Sequence, residues 1–479
     1  MDANEPDCRR VAADMDWFHL RGGSYAAVSL PVVSDYRLVG VVLKPVAFSM
    51  SSSDTIFALS SGRLPSGVAI VRMSGPHVRF AFETMLGSVP PARTARFGAI
   101  GSDVVIDHGL AIYFPGPGSV TGEDCGEFHL HGGIAVVRSV LTMLATLRGF
   151  RPAEAGEFTQ RSFLNGKIDL TGAEALSDLI ASETERQREL AGRSSSQQRL
   201  LYDGWRQRIL GLRAQLESVL DFSDQEDVPD QDLSASGNAA REIASEIERH
   251  AALYRQAEIV RSGFSVAIVG APNAGKSSLL NALAMNDVAI VSDEAGTTRD
   301  AISVSLDISG YKVIVTDTAG LREGGCSIEK IGMDRAREIA RRADLVLRVI
   351  DPLAPSFVEV VSDAEILDVW TKADVVDRKA DKLSVSSRSG AGLEELIGLI
   401  ASRIGEVTDG GAEVLPTRER HVRHLLAASG ALRLSARADL AEIAADDLRL
   451  ASMELGRIVG MTDTEEVLGE IFSRFCIGK

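Results

Sequence analysis

The sequence predicts a multidomain protein that combines α/β and all-α parts. Residues 264 to about 404 alternate short apolar strands with helical stretches, and helical sequence lies on both sides of them. Residues 54 to about 167 carry a second strand–helix alternation. At 479 residues the chain exceeds what one core organises, so two to four domains of roughly 100–200 residues are expected.

Composition narrows the class. Hydrophobic residues make up 45% and charged residues 25%, an ordinary globular mix. No run approaches the ~18 apolar residues of a membrane helix; the stretch from Ala26 to Phe48 is interrupted by Asp35, Arg37 and Lys44. Acidic Asp2, Glu5, Asp7, Asp14 and Asp16 stand where a secretory signal needs basic charge. Cys8, Cys125, Cys326 and Cys476 are isolated, which fits a reducing, cytoplasmic setting without disulfides or structural zinc. The net charge of −16 repels nucleic acid globally, so any RNA contact must use a local basic patch or a partner protein.

Residues 1–49 read as an atypical N-terminal extension, either an over-early start or a genuine extra element. In 50–167, Val68–Met73 and Leu110–Phe114 read as strands, and the stretch from Gly133 to Leu147 as a helix. Residues 168–262 read as helical. Thr171-Gly-Ala-Glu174 has the pattern of a capping box, and Ile209, Leu212, Leu216 and Val219 fall on one helical face. An acidic break at 221–229 precedes a further polar helix ending near Arg261. In 263–404, strands at Phe264–Val269, Val313–Thr316, Leu345–Ile350 and Ile366–Trp370 predict a parallel sheet with crossover helices. Residues 405–479 return to helix. The economical picture is one helical domain that carries an inserted nucleotide-binding domain.

Gly270-Ala-Pro-Asn273-Ala274-Gly275-Lys276-Ser277, followed by Ser278, matches the phosphate loop G-x-x-x-x-G-K-[ST] between a strand and a helix. Its glycines let backbone N–H groups face phosphates, and the helix N-terminus adds a favourable dipole. Lys276 would neutralise the β- and γ-phosphates, and Ser277 would ligate Mg2+. Gly296-Thr297-Thr298-Arg299-Asp300 supplies Thr298 to complete the magnesium shell. Asp317-Thr318-Ala319-Gly320 ends a strand, suiting Asp317 to a magnesium-linked water and the Gly320 N–H to the γ-phosphate. This is a Ras-like P-loop GTPase arrangement. Thr371-Lys372-Ala373-Asp374 resembles the guanine-reading Asn-Lys-x-Asp motif, with Thr371 in place of Asn, and predicts GTP as the nucleotide. Weaker affinity is expected, because a hydroxyl cannot reproduce both bonds of an amide. Ser386-Ser387-Arg388 resembles the loop that closes over the base. Leu321 occupies the place of the water-orienting glutamine, so another group must orient water.

More specific strings lie elsewhere: Ser119-Val-Thr-Gly-Glu-Asp124 with His131-Gly-Gly133, Gly156-Glu-Phe-Thr, Phe163-Leu-Asn-Gly-Lys167, and Phe472-Ser-Arg-Phe-Cys-Ile-Gly-Lys479. With the GTPase motifs, they make the chain from about Asp54 to Lys479 closely resemble the MnmE/TrmE family of tRNA-modification GTPases.

The resemblance implies an N-terminal domain that forms a homodimer and binds a tetrahydrofolate one-carbon donor (5-formyl- or methylene-tetrahydrofolate), with Arg72, Glu127, Lys167 and Lys479 at that site. It implies a potassium-activated GTPase, with Asn273, Ser292, Glu294 and Thr297 matching the K+ site and Asp293, Ala295 and Gly296 in the same loop. Glu329 matches the carboxylate that orients the attacking water. Cys476 matches a residue that participates in modifying the uridine. The implied chemistry adds an aminomethyl or carboxymethylaminomethyl group to C5 of the tRNA wobble uridine. It is shared with a flavin-dependent subunit (MnmG/GidA type) in a heterotetramer or larger. Two rivals remain: a ribosome-assembly or signalling GTPase, which shares the GTPase motifs but gives no reason for the Phe-Cys-Ile-Gly-Lys end, and a folate-dependent one-carbon transferase in which the nucleotide domain only regulates. Outside the resemblance, His129 and His131 are two apart on a strand, but no third metal ligand is evident.

Overall fold

The computed structural model describes residues 54–221, 233–285, 290, 302–318, 337–376, 382–408, 414–461 and, towards the C-terminus, 469, 471, 472, 475 and 478. The extension 1–49 lies outside them.

The first sheet has six strands in the order β3-β4-β5-β2-β1-β6. They are β1 (Thr55–Leu59), β2 (Ser66–Ser74), β3 (Arg96–Gly101), β4 (Val105–Phe114), β5 (Cys125–Gly132) and β6 (Phe150–Pro152). All neighbours are antiparallel except β1 and β6. Alternation makes the sheet one-sided. Ala69, Val71 and Met73 of β2 turn inward, against Val78, Phe82 and Met85 of α1 (Val78–Leu86) and Val137, Val140 and Leu144 of α2 (Ile134–Thr146). Helix α3 (Glu157–Leu164) follows β6.

The next layer is helical: α4 (Leu170–Ala181), α5 (Glu185–Asp221), α6 (Leu233–Ala251) and α7 (Tyr254–Ser262). The expected polar helix ending near Arg261 is thus two helices, broken between Ala251 and Tyr254. Nor does Thr171 cap a helix. The cap of α4 is Asp169, whose side chain accepts from the Gly172 N–H at 2.7 Å, and Thr171 donates its hydroxyl to that carboxylate. Glu174, the other half of the expected box, is buried and committed to Arg420 and His421. A carboxylate two residues earlier wins because it already accepts the orphan amide.

The second sheet has five strands in the order β11-β10-β7-β9-β8. They are β7 (Phe264–Gly270), β8 (Ile302–Ile308), β9 (Tyr311–Asp317), β10 (Leu345–Ile350) and β11 (Glu365–Trp370). The four expected strands, β7, β9, β10 and β11, pair in parallel, and an additional strand not read from the sequence, β8, pairs antiparallel with β9 through a tight Ser309–Gly310 turn, with φ of 54° and 84°. Only two residues connect the strands, too few for a crossover. The central strands are apolar on both faces because both are covered. Leu279, Leu280 and Leu283 of α8 (Lys276–Ala284) and Leu396, Ile400 and Ile404 of α9 (Leu393–Thr408) pack on one face, and Ala340 and Ala343 on the other. Truncating a fully buried member such as Leu347 to Ala would cost about 2–5 kcal/mol.

Helices α10 (Glu419–Ser435) and α11 (Ala441–Val459) follow the second sheet, yet share a core with α5 and α6. Tyr202, Ile209, Ile243, Ile247, Leu425, Leu432, Leu448 and Leu455 meet there. The sheet is seated on this scaffold through the β8–β9 turn. Arg186 N–H donates to Gly310 O at 3.1 Å, Lys312 pairs with Glu183 at 2.6 Å, and the Arg186 guanidinium lies over the Tyr311 ring. The C-terminal segment runs back towards the N-terminal sheet. Phe472 and Phe475 pack with Leu170 and Phe163, and Ser60 donates its hydroxyl to Gly478 O at 2.7 Å.

Candidate nucleotide site

The phosphate loop follows β7 and turns into α8. Gly270 has φ of 159°, and a Cβ there would lie 2.5 Å from Val349 O, so the backbone can pass β10 only as glycine. Asn273 and Gly275 take positive φ (62° and 97°), which curls the loop. Ala274 is buried and Ser278 is exposed on the first turn of α8. No side chain caps α8, so its first amides are open to an anion. Lys276 folds over the loop and donates to Gly270 O at 3.0 Å and Ala271 O at 2.8 Å.

Ser277 donates its hydroxyl to Asp317 Oδ2 at 2.6 Å, and Asp317 is wholly buried at the end of β9. A hydroxyl and a carboxylate side by side are a hard oxygen donor set, which fits Mg2+. Thr318 closes the strand end by donating to Ile268 O at 2.8 Å.

The base loop leaves β11. Thr371 is buried, with its hydroxyl 2.8 Å from Ala274 O and 3.2 Å from Ile350 O. Lys372 has φ of 57° and its ammonium meets Asp351 Oδ2 at 2.6 Å. Ser386 donates to Asp374 Oδ1 at 2.7 Å, and this bond holds the Asp374 carboxyl below its ordinary range, ready to accept from a base. Ala373 lies between these anchors, while Ser387 and Arg388 are exposed on the closing loop. The structure therefore brings phosphate loop, Asp317 and base loop to the carboxyl ends of β7, β9 and β11, where ligands bind in open α/β sheets.

On the first sheet, Arg72 and Glu127 are opposite each other across β2 and β5. Arg72 donates to Glu127 Oε1 from Nε (3.0 Å) and Nη2 (2.8 Å), and His129 Nε2 lies 3.0 Å from Oε2. Lys167 donates to Pro117 O at 2.8 Å. His131 turns instead to Asp107, and among the described residues no group of three could hold a metal.

The family model for the MnmE helical domain matches residues 170–476, and that for the GTP-binding protein TrmE N-terminus matches residues 55–167. The tRNA modification GTPase MnmE of Chelativorans sp. (strain BNC1) is 50% identical over 434 residues, 89% of this chain and 98% of that protein. The protein of the same name from Brucella anthropi is 51% identical over 443 residues, 90% of this chain and 99% of its own. The chain belongs to the MnmE family of tRNA modification GTPases. Among solved structures, the G domain of the T. maritima FeoB iron transporter is 25% identical and covers 30% of this chain and 98% of that one, with a TM-score of 0.22.

As an MnmE-family member, the protein is a GTP-hydrolysing enzyme of tRNA modification. Several expected site residues lie outside the described residues: Ser292, Asp293, Glu294, Ala295, Gly296, Thr297, Thr298, Ala319, Gly320, Leu321, Glu329, Cys476 and Lys479. Sequence reading missed Asp351, which positions Lys372. An aspartate directly after the apolar strand β10 was the available signal.

Proposed function

We propose that this MnmE-family chain uses potassium-assisted GTP hydrolysis to drive a conformational cycle that modifies the wobble uridine of tRNA. With a flavin-dependent partner of the MnmG/GidA type, it adds an aminomethyl or carboxymethylaminomethyl group to C5. The carbon comes from a tetrahydrofolate one-carbon unit, and the chain works as a homodimer within a heterotetramer or larger assembly. The working units are 50–167 for folate and dimerisation, 168–262 with 405–479 as the helical scaffold, and 263–404 as the GTPase.

The observation that carries this reading is the return of the C-terminal segment to the first sheet. Gly478 is held by Ser60, next to β1, and Ala58 of β1 is directly opposite Arg72 of β2. A Cβ on Gly478, whose φ is 96°, would run into the Leu59 carbonyl, so the approach is close. Gly478 thus lies beside the sheet that carries Arg72 and Glu127, which supports a site shared with its sequence neighbours Cys476 and Lys479. A guanidinium and a carboxylate on one face suit a ligand with both an anionic tail and an N–H edge, as a folate has.

In the GTPase unit, Ser277 and Thr298 would hold Mg2+, with Asp317 acting through a magnesium-linked water, and the ion would supply positive charge against the β- and γ-phosphates. Lys276 would leave its loop carbonyls for the phosphates, and the open amides of α8 would stabilise charge in transit. Asn273, with Ser292, Glu294 and Thr297, would hold K+ where an arginine finger otherwise stands. Glu329 would orient water in the role that Leu321 cannot fill. The decisive experiment compares nucleosides of tRNA from cells with and without this protein. Loss of a C5-substituted wobble uridine is expected, and unchanged tRNA would overturn the proposal.

A further inference from the structure

Between α4, α7 and the start of α10 lies a cavity of about 490 Å3 that Phe475 also lines. Arg261, Arg418, Arg420 and Arg423 line it together with the carboxylates of Glu174, Asp178 and Glu419, so the lining has a small excess of positive charge in a chain of net charge −16. Two of the four are committed. Arg420 is bidentate to Glu174 at 2.7 and 2.9 Å, and Arg418 pairs with Asp178 at 2.8 Å. The other two make no ion pair among the described residues. Arg423 is exposed, and the Arg261 Nε–H is buried without a hydrogen-bond acceptor. Such an orphan donor is costly unless something fills the space before it.

The cavity is also the N-terminal end of α10. Arg418 occupies the cap position, and no side chain satisfies the first amides. A 17-residue helix, with Glu419 in its first turn, therefore directs its positive end at the same space as Arg261 and Arg423. Burial, and then the charge of Arg418, pulls the Arg261 pKa down.

We propose that this cavity seats a backbone phosphate of the tRNA substrate. The inference rests on the family's action on tRNA. It identifies the basic patch through which an otherwise acidic chain contacts RNA. Phosphate chemistry fits the set: guanidinium donors with fixed fork geometry, plus helix amides. The position also fits, because Phe475, which lines the cavity, directly precedes Cys476 in sequence. A phosphate seated here would bring an adjoining nucleoside towards the segment proposed to take part in the modification.

The test measures tRNA binding by the full chain as salt is varied. Arg261→Gln and Arg423→Gln, once shown to melt like the parent, should each weaken binding roughly fivefold and lower the slope of log K against log salt by about one. Arg261→Lys, which keeps the charge, should retain the parental slope. A second arm measures binding of a polyglutamylated tetrahydrofolate, the other polyanion at hand, and no change is expected. Variants that bind tRNA like a tRNA-binding parent overturn the phosphate seat alone. Loss of folate binding with intact tRNA binding also overturns it, in favour of the folate tail. A parent chain that binds no tRNA at any salt overturns direct RNA contact altogether, while leaving the GTPase assignment in place.

Discussion

The hydroxyl of Thr371 lies 2.8 Å from the carbonyl oxygen of Ala274 and so ties the base-reading loop to the phosphate loop. A hydroxyl has one proton to donate, and Ile350 O at 3.2 Å competes for it. An asparagine amide would have two donors and could serve both. Thr371→Asn should therefore tighten GTP binding, and Thr371→Val should weaken it by roughly fivefold to tenfold, the worth of one buried hydrogen bond. Titration with a fluorescent GTP analogue measures both.

Asp374 is the companion case. Its carboxylate is held ionised and oriented by Ser386. Asp374→Asn replaces an acceptor of two guanine donors by a group with only one acceptor atom, so preference for GTP over ATP should fall. Equal binding of ATP and GTP by the parent protein would remove the guanine assignment.

Potassium gives a third prediction. With Leu321 unable to orient water and no finger arginine evident in the sequence, hydrolysis should be faster in KCl than in NaCl at equal ionic strength. Pairing of nucleotide domains with GDP and aluminium fluoride should rise in parallel. Identical rates in the two salts would discard the cation site.

Motor and chemistry are separable. Glu329→Gln should depress both GTP turnover and tRNA modification, because water orientation needs the carboxylate. Cys476→Ser keeps the volume but exchanges a thiol for a poor nucleophile, so modification should collapse while GTP turnover stays near normal. Circular dichroism establishes that both variants are folded. Full modification by folded Cys476→Ser would make the cysteine structural.

The helical scaffold carries a pH signature. Burial, and then nearby His421, lowers the His250 pKa from 6.5 to about 4, and its Nε2 lies 3.2 Å from the Tyr202 hydroxyl. Between those values the unfolded chain binds the extra proton, so stability falls as pH falls through this window, by on the order of 3 kcal/mol in all. Glu174 adds the same sign lower down. Burial pushes its pKa up, but His421 and Arg420 outweigh that and hold it far below the usual carboxylate range. Its contribution is present above 4.5 and lost as acid protonates it. Thermal melts of His250→Phe should be flatter between pH 6.5 and 4 than those of the parent, with the steeper loss at lower pH retained.

The nucleotide loops were legible in the sequence because strand, glycine turn and helix are adjacent there. Lys276 and Ser277 are one loop away from the strand that positions them. Thr371 read as a defect, and its link to Ala274 was invisible because the two are 97 positions apart. The same holds for Glu174: its local spacing to Thr171 suggested a cap, but Arg420 and His421, some 246 and 247 positions away, claim it. Local patterns report local hydrogen bonds, whereas a buried charge is assigned by whatever the fold brings beside it. Antiparallel β8 has its own local signal, the Ser309-Gly310 hairpin turn, but its alternating half-polar pattern is weaker than the apolar runs of the parallel strands.

Because α10 and α11 complete a core begun by α5 and α6, the scaffold has a timetable during synthesis. On the ribosome, the first sheet and then the nucleotide-binding sheet can collapse while half of the helical core has yet to emerge. The apolar faces of α5 and α6, with Trp205, Ile209 and Ile243, must wait for the whole of the second sheet to be translated. The nascent chain therefore passes through a stage with a nucleotide pocket formed and its platform still open. Chaperone dependence should concentrate in that interval. Nucleotide present at that stage could stabilise the newly formed sheet before the segment around Gly478 reaches Ser60.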